Sequence, residues 1–254
     1  MSDVADWWST AIIDMEQGRI AIRDREVETL IGQLTFPQMI WLMLRGDVPS
    51  DAQARLLEAA LVAAVDHGPQ APSIAAARMA VTCGLPLNAA MATAVNMLGD
   101  VHGGAGEQAV ELYGWVVDDG LSVAQAVYKW RQERGKYLPG FGHRFHPVDP
   151  RAPRLLALVD EAVAAGTVTG EFAETARAIE AQLARKATKP IPMNIDGATA
   201  VIYAELGFAA PLARGLFCLS RSVGALAHAA EQQGQGGRNK GPTPPGYRWS
   251  YTGE

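Results

Sequence analysis

The sequence is poor in cysteine, in secretion signals and in long apolar runs, and each shortage excludes a class of protein. Its two cysteines, Cys83 and Cys218, stand far apart without CxxC spacing, so neither a disulfide framework nor a zinc site is expected. No apolar segment reaches membrane-spanning length without interruption. The start, Met1 to Asp14, lacks the basic region and apolar run of a signal peptide. We therefore expect a cytoplasmic protein that does not associate with membranes.

Charge is also scarce. Charged residues make up 19% of the 254 residues, and the net charge is −5. Because duplex binding depends on clustered lysine and arginine, a nucleic-acid partner is not expected. An anionic metabolite is still compatible with this balance, since a few local arginines can bind carboxylates. The apolar fraction of 48% is enough for the core of one large or two small domains.

Helix signals recur along the chain. Capping boxes, in which a hydroxyl and an amide satisfy free backbone donors, are predicted at Thr35–Gln38, Ser50–Gln53 and Ser122–Gln125. Apolar residues between such signals repeat every three to four positions, and alternating β-branched runs are nearly absent. The pattern predicts an all-α fold of about nine or ten helices with little sheet.

Three irregular segments interrupt the helical pattern, and irregular backbone held between helices is where functional sites tend to lie. They are 100–106, 135–153 and 186–197. Three of the five histidines, His67, His102 and His143, are flanked by glycine, whereas His228 lies in an apolar helical stretch typical of a core histidine. We expect the three glycine-flanked histidines and the loop carboxylate Asp196 to be functional.

The surroundings of two histidines indicate what each can do. His102 precedes a helix predicted to begin near Ala105, and a helix start disfavours positive charge, so its imidazole should be a neutral hydrogen-bond donor. His143 precedes Arg144 and, further on, Arg151; arginine binds carboxylates through two hydrogen bonds. Two other interpretations stay open. Arg151 could form a surface ion pair with a nearby aspartate, Asp149 or Asp160, and the HxxH spacing of His143 and His146 could bind a metal, although no third ligand is evident.

Five ordered motifs resemble the citrate synthase superfamily, and the similarity runs from about Trp8 to the C-terminus. Val101–Ala105 resembles the motif of the first catalytic histidine, and Gly140–Arg144 with Asp149–Arg151 resembles that of the second. Met193–Gly197 resembles the catalytic aspartate motif. Leu219–Gly224 with His228 resembles the substrate-arginine helix, and Val65–Pro69 resembles the motif of the ligand-binding histidine.

Finer details are more similar to citryl-CoA lyase and the corresponding module of ATP-citrate lyase than to the synthases. Synthases are longer at the N-terminus and usually follow the aspartate with an aromatic residue and Ser-Gly, whereas here Gly197-Ala198-Thr199 follows Asp196. The tail Gly246–Trp249 also looks like that of the lyases.

The resemblance implies cleavage of citryl-CoA to acetyl-CoA and oxaloacetate through an enol or enolate. It implies catalytic roles for His102, His143 and Asp196. The implied substrate-binding residues are His67, Arg144, Arg151, Arg221 and Arg248, with Arg248 supplied by a neighbouring subunit. The candidate CoA-binding residues are Lys136, Leu138, Gly140, Phe141, Gly142, Lys186 and Lys189. The alternatives are citrate synthase or 2-methylcitrate synthase-type condensation and a non-catalytic helical scaffold.

The resemblance also implies an architecture and partners. A large helical domain, residues 1–102 and 203–254, would hold an inserted small helical domain, residues 103–202. The implied assembly is a homodimer or a dimer of dimers. No metal and no permanently bound cofactor is implied, and coenzyme A enters as part of the substrate.

Overall fold

The computed structural model describes residues 4–143, 146–185, 187, 189–239, 241, 243–244 and 246–253. In this part of the chain helices dominate, as predicted. The helices are α1 (Val4–Trp8), α2 (Val27–Leu30), α3 (Phe36–Arg45), α4 (Asp51–Ala64), α5 (Pro72–Thr82), α6 (Leu87–Asn96), α7 (Ala105–Val117), α8 (Val123–Glu133), α9 (Arg151–Ala164), α10 (Glu171–Ala184), α11 (Ile195–Glu205) and α12 (Ala210–Gln235). They outnumber the prediction because α1 and α2, with 5 and 4 residues, are too short to show a helical period.

A small antiparallel sheet near the N-terminus departs from a purely helical fold. Its three strands, β1 (Ile13–Glu16), β2 (Arg19–Ile22) and β3 (Arg25–Glu26), lie in the order β1-β2-β3. Glu16 pairs with Arg19, so the first hairpin turns through two residues, and Gly18 supplies the left-handed backbone with φ of 80°. The few residues in each strand explain why the sequence pattern did not reveal them.

The three predicted capping boxes all form. In each, the hydroxyl at the helix start accepts the backbone N–H three residues on, and the glutamine amide accepts the N–H at the start: they begin α3, α4 and α8. A cap of this kind contributes about 1 kcal/mol to stability. These starts fix where α3, α4 and α8 enter the core.

Among the described residues, two main apolar cores hold the helices together, beside a third, minor cluster around Phe217. The larger one joins α3 and α4 to α7–α11 around the fully buried rings of Tyr113, Trp130 and Tyr203. The smaller one lies between α5, α6 and α12 and consists mostly of alanines such as Ala77, Ala90 and Ala225, whose size allows the helices to approach closely. The larger core contains residues from both predicted domains, and the boundaries at 103 and 202 stay a prediction.

Helices α7 and α11 pack side by side, and α12 packs against α7 and α4. The start of α7 lies beside the start of α11, since a Cβ on Gly106 would come within 3.9 Å of the Asp196 carbonyl oxygen. Among the described helices, none is both long and apolar enough to cross a bilayer. The packing thus gathers the residues around His102 and Asp196 at one end of a helix pair.

Candidate active site

A short backbone pairing brings His143 to the start of α11. The Gly142 N–H donates to the Pro192 carbonyl at 2.7 Å, and the Asn194 N–H donates to the Gly140 carbonyl at 3.0 Å. The Asn194 side-chain amide also donates to the Gly142 carbonyl at 2.7 Å. Two loops that lie about fifty residues apart in sequence are therefore held as one unit.

Glycine at two positions permits this pairing. Gly140 has a φ of 83°, which favours glycine, and a Cβ there would lie 2.6 Å from the Gly197 Cα. A Cβ on Gly197 would collide in turn with the Gly140 carbonyl. Larger side chains at either position would push the loop that carries His143 away from α11.

Asp196 lies in the first turn of α11. Asn194 caps the helix, and its side-chain oxygen accepts the N–H groups of Asp196 and Gly197 at 3.0 and 3.2 Å. Burial raises the pKa of Asp196 above its ordinary value, against the opposing effects of the Arg221 and Arg151 guanidiniums. Asp196 is thus a carboxyl group that holds its proton to a higher pH than an ordinary aspartic acid does.

Asp149 is a second carboxyl group near the start of α11, and it is fully buried. It accepts hydrogen bonds from the Arg151 Nε, one Arg151 terminal nitrogen and the Arg151 backbone N–H at 3.0, 2.9 and 3.1 Å, and from the Ile195 N–H at 3.1 Å. Burial alone would raise its pKa, but the bonds from Arg151 and Ile195 lower it to about 2. Asp149 therefore stays ionised and ties the start of α9 to the start of α11.

The structure decides between two interpretations of Arg151. It pairs with Asp149, as the ion-pair alternative expected, but the carboxylate is buried rather than on the surface. Asp160 pairs instead with Arg177 at 2.8 Å. The Arg151 guanidinium also lies close enough to Asp196 and His67 to act on the pKa of each in the downward direction, so its charge lies near the site.

Ser73 holds the ring of His102 in place. Its Nε2 accepts the backbone N–H of the buried Ser73 at 3.2 Å and lies 3.0 Å from the Ser73 hydroxyl. A backbone N–H can only donate, so Nε2 carries no proton and Nδ1–H is the free donor. Burial, Arg221 and His67 lower the pKa of His102, which keeps the ring neutral. The helix that follows begins at Ala105, as predicted.

His67 and His143 meet edge to face, with ring centroids 5.7 Å apart. Nδ1 of His143 accepts the His146 backbone N–H at 3.0 Å, so the proton of the neutral ring resides on Nε2. Burial lowers the pKa of His143, and burial together with Arg151 and Arg221 lowers that of His67. Both imidazoles are therefore mainly neutral near pH 7.

Arg221 is the buried cation of this group. The residue is only 5% exposed. Its Nε donates to the Ala64 carbonyl at 3.1 Å, and its guanidinium carbon lies 4.8 Å from the centre of the Phe217 ring. It lowers the pKa of His67, His102 and Asp196 alike, which places its charge among them. Within the described residues it forms no ion pair with a carboxylate, so its charge is free to receive an anionic ligand.

Other predicted site residues lie apart from this group or outside the described residues. Leu138 and Phe141 are buried in the larger core, so only their backbone could meet coenzyme A. Lys136 is exposed over the Tyr137 ring, and Lys189 and Arg248 are also exposed. Arg144 and Lys186 lie outside the described residues.

The metal interpretation of HxxH finds no third ligand. In the described part of the chain, no group of three or more His, Cys, Asp or Glu side chains is placed to hold a metal ion. The rings of His143 and His146 are 4.7 Å apart, but the first uses Nδ1 for the backbone of the second.

Three residues that hold the site residues in place were not predicted from the sequence to do so. Asn194 carried a usable signal, because asparagine before an apolar helical stretch is a common cap. Ser73 carried none, since its contact with His102 joins residues 29 apart through the fold. Asp149 was noted as part of a family motif and as a possible surface partner of Arg151, but its burial was not predicted, because sequence spacing does not reveal burial.

The site contains three mainly neutral imidazoles, those of His67, His102 and His143, together with a carboxyl group with a raised pKa in the first turn of α11 and a buried guanidinium from α12. Such a set of groups is typical of a site for acid–base chemistry beside an anion. The family described as "Citrate synthase, C-terminal domain" matches residues 49–242, and the chain belongs to the citrate synthase family.

Individual relatives refine the comparison. The solved structure of citryl-CoA lyase from Hydrogenobacter thermophilus has a TM-score of 0.87 and 33% identity, covering 97% of this chain and 95% of that chain. The citrate synthase of Haloferax volcanii is 32% identical over 192 residues, which are 75% of this chain and 49% of that protein. The chain thus spans about half the length of the curated citrate synthases it matches. ATP citrate lyase from Methanothrix soehngenii shares the fold at 21% identity, with a TM-score of 0.81 over 97% of this chain and 42% of that one.

These comparisons confirm the predicted superfamily and the mainly helical fold. They also bear out the prediction that the chain is an enzyme of the citryl-CoA lyase and citrate synthase type. The roles of single residues, the domain boundaries and the assembly stay predictions.

Proposed function

We propose that the chain cleaves citryl-CoA to acetyl-CoA and oxaloacetate through an enolate of acetyl-CoA. The observation that carries the proposal is the pairing of a fixed neutral donor, the Nδ1–H of His102, with a carboxyl group whose pKa is raised, that of Asp196. A thioester enolate needs such a donor at its oxygen and such an acid at its carbon.

Cleavage proceeds with each proton accounted for. The citryl hydroxyl gives its proton to Nδ1 of His143, the ring nitrogen without a proton, which gives up the contact with the His146 N–H. The hydroxyl oxygen becomes the oxaloacetate carbonyl, and the adjacent carbon–carbon bond breaks. The electron pair moves into the thioester to form the enolate, whose oxygen accepts the hydrogen bond from His102. Asp196 then protonates the methylene carbon to give acetyl-CoA. A donor of this kind is worth about 3–4 kcal/mol of transition-state stabilisation.

Cleavage uses the Asp196 carboxyl group as an acid, whereas condensation uses it as a base, and burial raises the pKa of this group above its ordinary value. One site catalyses both directions, so the proposal of cleavage is supported by the similarity to citryl-CoA lyase, which spans nearly the whole length of both chains.

The substrate carboxylates would be bound by cationic and imidazole groups around this centre. Arg221 is the strongest candidate because it is buried without a carboxylate partner among the described residues. His67 and Arg151 lie near it, and Arg144 is assigned by the family motif alone. Coenzyme A would meet the backbone of residues 136–142, with Lys189 and Lys186 toward its phosphates.

The assembly we propose is a homodimer or a dimer of dimers. Exposed apolar side chains on the outer faces of α5 and α12, among them Met79, Leu219 and Val223, support a second copy as the partner. Arg248 would reach the site of that neighbour. Closure of a cleft between residues 103–202 and the rest of the chain would exclude water from the enolate.

The test follows oxaloacetate formed from citryl-CoA and, separately, free thiol released from oxaloacetate with acetyl-CoA or propionyl-CoA. We expect the first reaction to be the faster and His102→Ala to lower it by about 10²-fold or more without unfolding. Faster thiol release would support the alternative, condensation, which the 32% identity to a citrate synthase favours. No turnover in either assay and no coenzyme A binding by calorimetry would indicate a non-catalytic scaffold.

A further inference from the structure

His228 lies outside the proposed catalytic groups but contacts the loop that carries one of them. Its Nε2 lies 3.3 Å from the Asp66 carboxylate. On the other side of the ring, Nδ1 lies 3.3 Å from an Arg78 terminal nitrogen, and Arg78 pairs with Glu231 at 2.6 Å. The imidazole therefore connects α5 and α12 to the segment that follows α4. A histidine that only fills an apolar core would not contact charged groups on both sides of its ring.

Asp66 in turn holds the backbone of His67. Its carboxylate accepts the N–H of Gly68, the residue after His67, at 3.1 Å, and the His67 N–H is near enough to lower its pKa. Burial opposes ionisation, but these N–H groups and the bond from His228 leave the pKa of Asp66 below its ordinary value, so it is a carboxylate at neutral pH. A charged acceptor binds such donors more tightly than a neutral one.

The fit between this segment and α12 is close. A Cβ on Gly224, one helical turn before His228, would collide with the Val65 carbonyl and lie 3.3 Å from the Asp66 Cβ. The segment Val65–Gly68 thus lies directly on the helix that also carries Arg221. Gly68 ends it with a φ of 82°, a conformation that favours glycine.

We propose that His228 is a positioning residue for substrate binding. Through Asp66 it fixes the backbone of His67, so that the His67 imidazole faces His143 and Arg221, where the substrate carboxylates bind. The proposal rests on the proposed function only for the identity of the substrate. The anchoring of His67 itself stands on the contacts of Asp66, His228 and Gly224.

The kinetic test compares His228→Leu, which removes the donor, with His228→Gln, which keeps an N–H at a similar reach. We expect His228→Leu to raise KM for citryl-CoA about ten-fold and to change kcat by less than about two-fold. His228→Gln should recover most of the loss. In an Asp66→Asn background, His228→Leu should have little further effect, because the contact is already broken. Ser222→Ala, on the same helix with its hydroxyl bonded to the Leu219 carbonyl, is the matched control and should leave KM unchanged.

A second measurement separates this inference from the proposed function. With ¹⁵N-labelled histidine, the five rings give few enough signals to assign by substitution. We expect the His67 and His143 signals to shift in His228→Leu and in Asp66→Asn, and to return toward their wild-type positions in His228→Gln. Unshifted His67 signals, or equal KM values in wild type and the Leu variant, would overturn the positioning role. If wild type turns over neither substrate pair, the proposed function fails, and the histidine signals alone decide.

Discussion

The corner before α9 contains Asp149, and the first turn of α11 contains Asp196. The surroundings of these two aspartates shift their pKa values in opposite directions. Asp149 is fully buried, accepts four hydrogen bonds and has its pKa lowered to about 2. Asp196 is half-buried, and among the described residues no hydrogen bond to its carboxyl group is found. Its pKa is raised. The Ile195 N–H, which donates to Asp149, belongs to the residue immediately before Asp196.

The difference shows that burial alone does not decide the charge of a carboxyl group. Both groups lose water, but Asp149 replaces it with N–H donors and a guanidinium, whereas Asp196 does not. The first is thereby fixed as an anion that joins two helix starts. The second keeps a raised pKa, which is typical of carboxyl groups that exchange protons at functional sites.

Replacing the carboxyl group of Asp196 should have the largest effect on activity. We expect Asp196→Asn to lower the rate of citryl-CoA cleavage by about 10³-fold or more. The same variant should be slightly more stable than wild type at neutral pH, because a carboxyl group with a raised pKa weakens the fold where it is ionised. Steady-state kinetics and thermal denaturation measure the two effects. Ordinary activity in this variant would remove Asp196 from the mechanism.

Removing the charge of Asp149 should act on the fold. Asp149→Asn leaves the Arg151 guanidinium without its partner and should lower the free energy of unfolding by about 3 kcal/mol. Asp160→Asn is the matched control, since its pair with Arg177 is exposed and should contribute less than about 1 kcal/mol. Urea denaturation measures both. Equal losses in the two variants would contradict the special role given to the buried pair.

Acid should reveal the same carboxylate through the pH dependence of stability. The pKa of Asp149 is lowered from 3.8 to about 2, so its contribution is fully present above about pH 4 and is lost as the pH falls toward 2. The unfolded chain takes up this proton first, which costs the wild type about 2 kcal/mol over that range. The stability of Asp149→Asn should therefore fall less steeply between pH 4 and 2. Parallel curves for the two proteins would show that Asp149 is not the group responsible.

The smallest effect is expected at His146. A cation bound by His143 and His146 would lower the pKa of both Asp149 and Asp196, and the contrast between these two carboxyl groups would then have a different cause. The contact that His146 makes to His143 Nδ1 comes from its backbone, which alanine retains. His146→Ala should therefore change kcat/KM by less than about two-fold. A large loss together with released metal, detected by elemental analysis, would restore the metal interpretation.

Local signals in the sequence were sufficient for much of the fold. The capping boxes at Thr35, Ser50 and Ser122 and the start of α7 at Ala105 were predicted, because each depends on residues within one turn of the chain. The strands near Gly18 were not, because two to four residues leave too short a period to detect.

The candidate site likewise has features that the local sequence predicted and features that depend on contacts across the fold. The glycine-flanked positions of His67, His102 and His143 indicated function, and the physics of a helix start predicted a neutral His102. The groups that orient those side chains act across the fold, as Ser73 does on His102 and Asp149 does on Ile195. One-dimensional spacing contains no measure of burial, so the opposite behaviour of Asp149 and Asp196 could not be predicted from it.

The contact between Gly140 and Gly197 also limits how the molecule can move. With no side chain between the two backbones, the loop that bears His143 and the turn that bears Asp196 behave as a single rigid part, so a substrate cannot pull one toward itself and leave the other behind. A hinge for the proposed closure would therefore have to lie elsewhere, and opening it would change the separation of that part from His102, which is anchored to α5 through Ser73.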